Sequence, residues 1–181
     1  MKRLEHLFLF KAFLLSLTVI LLTCRTSTAQ EFNYKVNAMY IYYFAKYVNW
    51  TDVVQGETLT IGVLGNSPVM DQLKALIANK KVYGKSIVIK RIDVTEAKSC
   101  NMIIVSRSET GLTQKLCESL NNKPVLVITE KEGYSKKGAQ ICIYVDDEDD
   151  FKTKFELSRS NIEKSKLKVS HELVALGELV N

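Results

Sequence analysis

The sequence holds no run of about 20 apolar residues, the length a membrane-spanning helix needs. It holds no Cys-x-x-Cys, which removes a thioredoxin-like active site. No Gly-x-Ser-x-Gly marks a serine nucleophile. The strand-to-helix turn Gly62-Val-Leu-Gly65-Asn-Ser-Pro lacks the three spaced glycines, or the Gly-Lys-Ser/Thr ending, of a phosphate cradle. The acidic run Asp146 to Asp150 lacks the alternation, central glycine and distant glutamate of a calcium loop, so it reads as a solvated turn. Histidine is nearly absent: beyond His6 there is only His171, and one histidine cannot make a zinc site. No cofactor or metal is expected, and no catalytic set stands out. These absences point to a binding or regulatory domain; an enzyme would need a cleft bringing His171 to a cysteine or carboxylate.

What is present begins with an export signal. Lys2, Arg3 and Lys11 precede an apolar run from Ala12 to Leu22, broken by Ser16 and Thr18. Ser27-Thr28-Ala29 then offers small residues for a signal peptidase, so residues 1–29 read as a signal peptide and 30–181 as a single domain. The other way to cut is lipoprotein processing before Cys24 in Leu21-Leu22-Thr23-Cys24. Losing four basic residues against Glu5 lowers the net charge from +5 to +2. A chain this near neutrality has no electrostatic footprint for nucleic acid. No direct membrane insertion is expected after cleavage. Three cysteines remain, Cys100, Cys117 and Cys142, in a compartment that permits disulfides. The odd number leaves at least one free or paired between chains, and all three are expected to be free.

Residues 34–50 space their apolar and aromatic side chains by three and four, as an amphipathic helix does. Tyr40, Tyr43 and Tyr47 share one face of it, suited to a core or a dimer surface. Apolar runs predict strands at 59–65, 87–92, 101–106, 124–129, 140–145 and 151–157. Helices are predicted after Ser67-Pro68, over 111–120, over 161–166 and over 171–180. Strands alternating with short helices give an α/β fold: three layers, a mixed but mostly parallel sheet of about five to six strands, helices on both faces.

In this order the segments resemble the YfiR family of periplasmic regulators. The likeness runs through Tyr40-Ile-Tyr-Tyr-Phe-Ala-Lys-Tyr-Val-Asn-Trp50, Ile61-Gly-Val-Leu-Gly65 and Gly84-Lys85. It continues through Ala97-Lys-Ser-Cys-Asn-Met-Ile-Ile-Val-Ser106, Pro124-Val-Leu-Val-Ile-Thr129, Gly133-Tyr134, Lys154-Phe-Glu-Leu-Ser158 and Leu167-Lys-Val-Ser170. The resemblance implies a periplasmic α/β domain, often dimeric, that represses a membrane diguanylate cyclase by binding it and so restrains cyclic di-GMP and biofilm; in other bacteria it accompanies sensor kinases. Some relatives carry a cysteine where Gly62 stands, able to pair with the position of Cys100, and here that partner is missing. The alternative function is a periplasmic sensor of small molecules, with a pocket near the strand ends after Gly65 and Ser106.

Five residues are candidates for partner contact. Trp50 ends the aromatic helix and serves either as an exposed anchor or as packing for the helix end. Lys154 and Glu156 share one face of their strand, opposite Phe155 and Leu157, and that face turns to a partner or to solvent. Ile162 lies beside the densest part of the resemblance. Lys168 follows the same logic.

Overall fold

Two tetrapeptides, Met102–Val105 and Leu126–Thr129, are buried at every residue and form the centre of the fold. Side chains covered on both sides are what a parallel sheet between helix layers demands. The computed structural model describes residues 32–50 and 56–180, which fall in one compact unit. The strands are β1 (Thr58–Leu64), β2 (Lys81–Val82), β3 (Lys85–Ile92), β4 (Met102–Val105), β5 (Leu126–Thr129), β6 (Ile141–Asp146), β7 (Lys152–Ser158) and β8 (Glu178–Val180). They make one sheet in the order β2-β3-β1-β4-β5-β6-β7-β8. Five of the seven pairings are parallel; β2–β3 and β6–β7 are antiparallel hairpins.

The helices are α1 (Tyr34–Tyr47), α2 (Val69–Ile77), α3 (Thr113–Leu120), α4 (Arg159–Lys164) and α5 (His171–Leu176). Alternate strand residues face opposite helix layers. On one face Ile61, Ile104 and Ile128 pack with Ile41, Phe44 and Leu73 of α1 and α2. On the other, Ile103, Val105 and Val127 pack with Leu116 and Leu120 of α3. The result is the three-layer α/β arrangement with helices on both faces.

The sheet has eight strands rather than five or six. The two additional strands are two and three residues long, too short to carry a period. The helix predicted over 171–180 ends at Leu176, and Glu178–Val180 pairs in parallel with β7 instead. Gly177 permits this passage: a side chain there would run into the Phe155 ring. Ser67 Oγ accepts from the Val69 N–H at 3.2 Å and steadies the start of α2. The export reading of 1–29, including the choice between Ala29 and Cys24, lies outside the described residues. Among the described residues no helix is long and apolar enough to cross a membrane.

Candidate functional site

The second half of α1 builds an aromatic surface. Tyr43 and Tyr47, four residues apart, stack with ring centroids 6.2 Å apart and planes 25° from parallel. Lys46 Nζ lies 5.9 Å from the Tyr42 ring centre and 6.0 Å from that of Tyr43, and Lys80 Nζ lies 4.6 Å from the Tyr42 ring. These are cation–π distances. Met39 and Tyr43 are exposed on the same helix.

The hairpin β2–β3 completes the surface. Its two-residue turn, Tyr83-Gly84, has φ of +51° and +75°. Both turn residues left-handed is the conformation that matches the strand twist of a tight hairpin, and it suits Asn or Gly far better than an aromatic residue. Tyr83 is nevertheless 56% exposed, and its hydroxyl donates to Lys46 O at 3.0 Å. A cavity of about 340 Å³ opens between Tyr47, Asn49, Tyr83, Lys168, Val169 and Ser170. Its wall is fixed by backbone bonds: Asn49 N–H donates to Lys168 O, and Ser170 N–H to Tyr47 O, each at 2.9 Å.

The five sequence candidates do not converge here. Lys168 is exposed and lines the groove. Trp50 is fully buried and its indole N–H donates to Ala45 O at 2.7 Å, so it packs the helix end and is no surface anchor. Ile162 is buried in the core cluster beneath α1. Glu156 is buried too, accepting from the Gly133 N–H at 3.2 Å; its side of β7 is covered by the 3-10 turn Tyr134–Lys137 and does not face solvent. Lys154 is held by Asp146 at 2.6 Å and Asp149 at 2.9 Å in the acidic turn, and these bonds raise its pKa. Tyr40 turns inward, edge-on to Phe155, with its hydroxyl on Thr153 O at 3.2 Å.

Cys100, Cys117 and Cys142 are free thiols. Burial raises all three, Cys117 to about 12, which suppresses thiolate chemistry. His171 is exposed as the first residue of α5. At the strand ends after Gly65 and Ser106, the place of the pocket in the small-molecule alternative, a side chain at Gly65 would collide with Ser106 and Glu109.

One buried charge escaped the sequence reading. Glu130 follows β5, is fully buried, and accepts from Ser67 Oγ at 2.8 Å. Its Oε2 has no hydrogen-bond partner among the described residues. Burial raises its pKa above the ordinary 4.5, opposed by the Ser67 hydroxyl and by the Arg107 main chain and guanidinium. The folded protein therefore holds this proton more tightly than the unfolded chain does. That contribution to stability is complete below the unfolded value and is lost as pH rises through the folded one. Glu130→Gln keeps an acceptor for Ser67 without the charge. Its expected effect is a gain on the order of 1 kcal/mol at pH 8, shrinking towards pH 4. Urea unfolding of both proteins at the two pH values checks this; a variant less stable at pH 8 contradicts it.

Layered helices on a mostly parallel sheet define a three-layer α/β domain, which here carries a groove of aromatic and cationic groups. The chain belongs to the YfiR/HmsC-like family, whose model matches residues 34–178. That family comprises periplasmic regulators of cyclic di-GMP signalling, and its members act on membrane signalling proteins as regulators rather than enzymes. Among curated proteins none matches the chain. A solved conserved domain protein from Vibrio cholerae O1 biovar El Tor str. N16961 is similar at a TM-score of 0.58 and 14% identity, covering 82% of this chain and 60% of that one. This chain thus spans about 60% of that relative's length, and the likeness concerns fold alone. The ABC domain in complex with L-Trp from Streptococcus pneumonia aligns at a TM-score of 0.43 and 12% identity, over 67% of this chain and 55% of its own.

Proposed function

We propose that the protein is a non-enzymatic periplasmic regulator that binds a membrane diguanylate cyclase or sensor kinase through the groove around Tyr83. Residues 1–29 export it, and contact with the partner's periplasmic part controls cyclic di-GMP inside the cell and, through it, biofilm formation. Tyr83 carries the reading. An aromatic residue kept exposed in a left-handed turn costs stability, and such strain accumulates where function requires it. Its surroundings support the same use. Tyr43 and Tyr47 are large rigid rings of a type enriched in binding hot spots, and Lys46, Lys80 and Lys168 add positive charge around them.

The test is capture of membrane proteins on immobilised protein, comparing the natural chain with Tyr83→Asn. Asparagine suits the turn, so the variant is expected to unfold no more readily than the natural protein. It is expected to bind the cyclase or kinase at least tenfold more weakly, about 1.4 kcal/mol or more. Equal capture by both proteins, or no cyclase or kinase enriched by either, overturns the reading. The homodimer implied by the resemblance is the competing use of this face. If it occupies the groove, Tyr83→Asn shifts the sedimentation coefficient instead.

A further inference from the structure

We infer that a second cavity, between α3 and the 3-10 turn at 134–137, is a binding site for a small polyanion of carboxylate or phosphate type. The cavity has a volume of about 340 Å³, within the range of small-ligand pockets. Its floor is apolar, formed by Leu120, Val125 and Val127. Its rim carries Lys123, Lys136, Lys137 and Lys164 against one acid, Glu118. No described ion pair involves any of these lysines. Glu118 is engaged by the Gln114 amide at 3.0 Å.

Four like charges from three separate segments are brought together by the fold: they come from the turn after α3, the 3-10 turn and the end of α4. The arrangement is also built. The Asn161 side-chain amide donates to Ser135 O at 2.7 Å and to Ala139 O at 2.9 Å. These bonds tie α4, with Lys164, to the turn that carries Lys136 and Lys137. Gly138, at φ +99°, closes the wall: an added Cβ would lie 2.8 Å from the Cys117 Cβ. Asn121 and Asn122, both left-handed at φ +47° and +57°, turn the chain so that Lys123 reaches the rim. Convergent cations that outnumber the one acid beside them repel one another, and an anion bridging them removes that cost. Lysines on a concave wall over an apolar floor suit a small molecule better than a flat membrane surface.

This site is separate from the Tyr83 groove and does not depend on the partner reading. Isothermal titration of the purified protein with citrate and with pyrophosphate tests it and separates the two anion chemistries. At least one probe is expected to saturate a single site. Lys136→Gln/Lys164→Gln is expected to weaken that binding at least tenfold. Lys46→Gln/Lys80→Gln, in the aromatic surface, is expected to change it less than twofold. Both double variants alter exposed side chains, and matching thermal unfolding midpoints confirm that they are folded. No saturable binding by either probe overturns the inference. So does equal weakening by both double variants, or association with phosphatidylglycerol vesicles alone.

Discussion

Gly62→Cys is expected to close a disulfide with Cys100 and to stabilise the oxidised protein by about 4 kcal/mol. A Cβ placed on Gly62 lies 2.8 Å from the Cys100 Sγ, close to the separation of about 3 Å that a disulfide sets between one Cβ and the far sulfur. Ile92 Cδ1, at 2.6 Å, is the obstacle, and as the free end of a flexible side chain it can move aside. The bond would close a loop of about 40 residues spanning β1, α2 and β3, which removes much of the freedom of the unfolded chain. Gly62→Ala reverses the sign. It brings the same Cβ without the bond and is expected to cost about 1–3 kcal/mol through crowding of Ile92 and Cys100. Because burial raises the Cys100 thiol, closure will be slow without an added oxidant or a thiol exchange partner. Denaturant unfolding with and without reductant reads the effect. A Gly62→Cys protein no more stable oxidised than reduced contradicts it.

The parts of the fold legible in the sequence are those where one physical requirement acts alone. β4 and β5 are covered on both faces, so they stand out as nearly continuous apolar runs. β2 and β8 are held by pairing with longer neighbours, and two or three residues leave no pattern. The end of α5 turned on Gly177, whose role is the close passage over Phe155, a contact distant in sequence.

The site was legible only in part, for related reasons. Alternation correctly set Glu156 opposite Phe155 and Leu157, but it could not say that the 3-10 turn covers that side. Lys168, a candidate from the sequence, lines the groove, while its neighbour there, Tyr83, was not a candidate. The signal available for Tyr83 was an x-Gly pair between short extended segments, the mark of a tight hairpin. Ser67 and Glu130 meet from 63 positions apart, and the lysine rim gathers three segments. Such encounters belong to the topology, and no local spacing records them.

Trp50→Ala is expected to cost about 3–5 kcal/mol, comparable to the whole stability of many domains. The indole is fully buried, and it also ends a helix. In a continuing helix the Asn49 N–H would take Ala45 O; here it donates to Lys168 O, and the Trp50 indole N–H takes Ala45 O at 2.7 Å. Trp50→Phe separates the two roles. It keeps most of the apolar volume but strands a buried carbonyl, at about 1–3 kcal/mol, so urea midpoints should fall in the order Trp, Phe, Ala. The series also separates packing from contact. Because Trp50 acts from inside, the Phe variant, while folded, is expected to capture the membrane partner as the natural protein does. Tyr83→Asn is expected to do the reverse, holding its fold and losing the partner. A Phe variant that is folded yet fails to capture would put Trp50 back at the contact surface and displace Tyr83 from the centre of the groove.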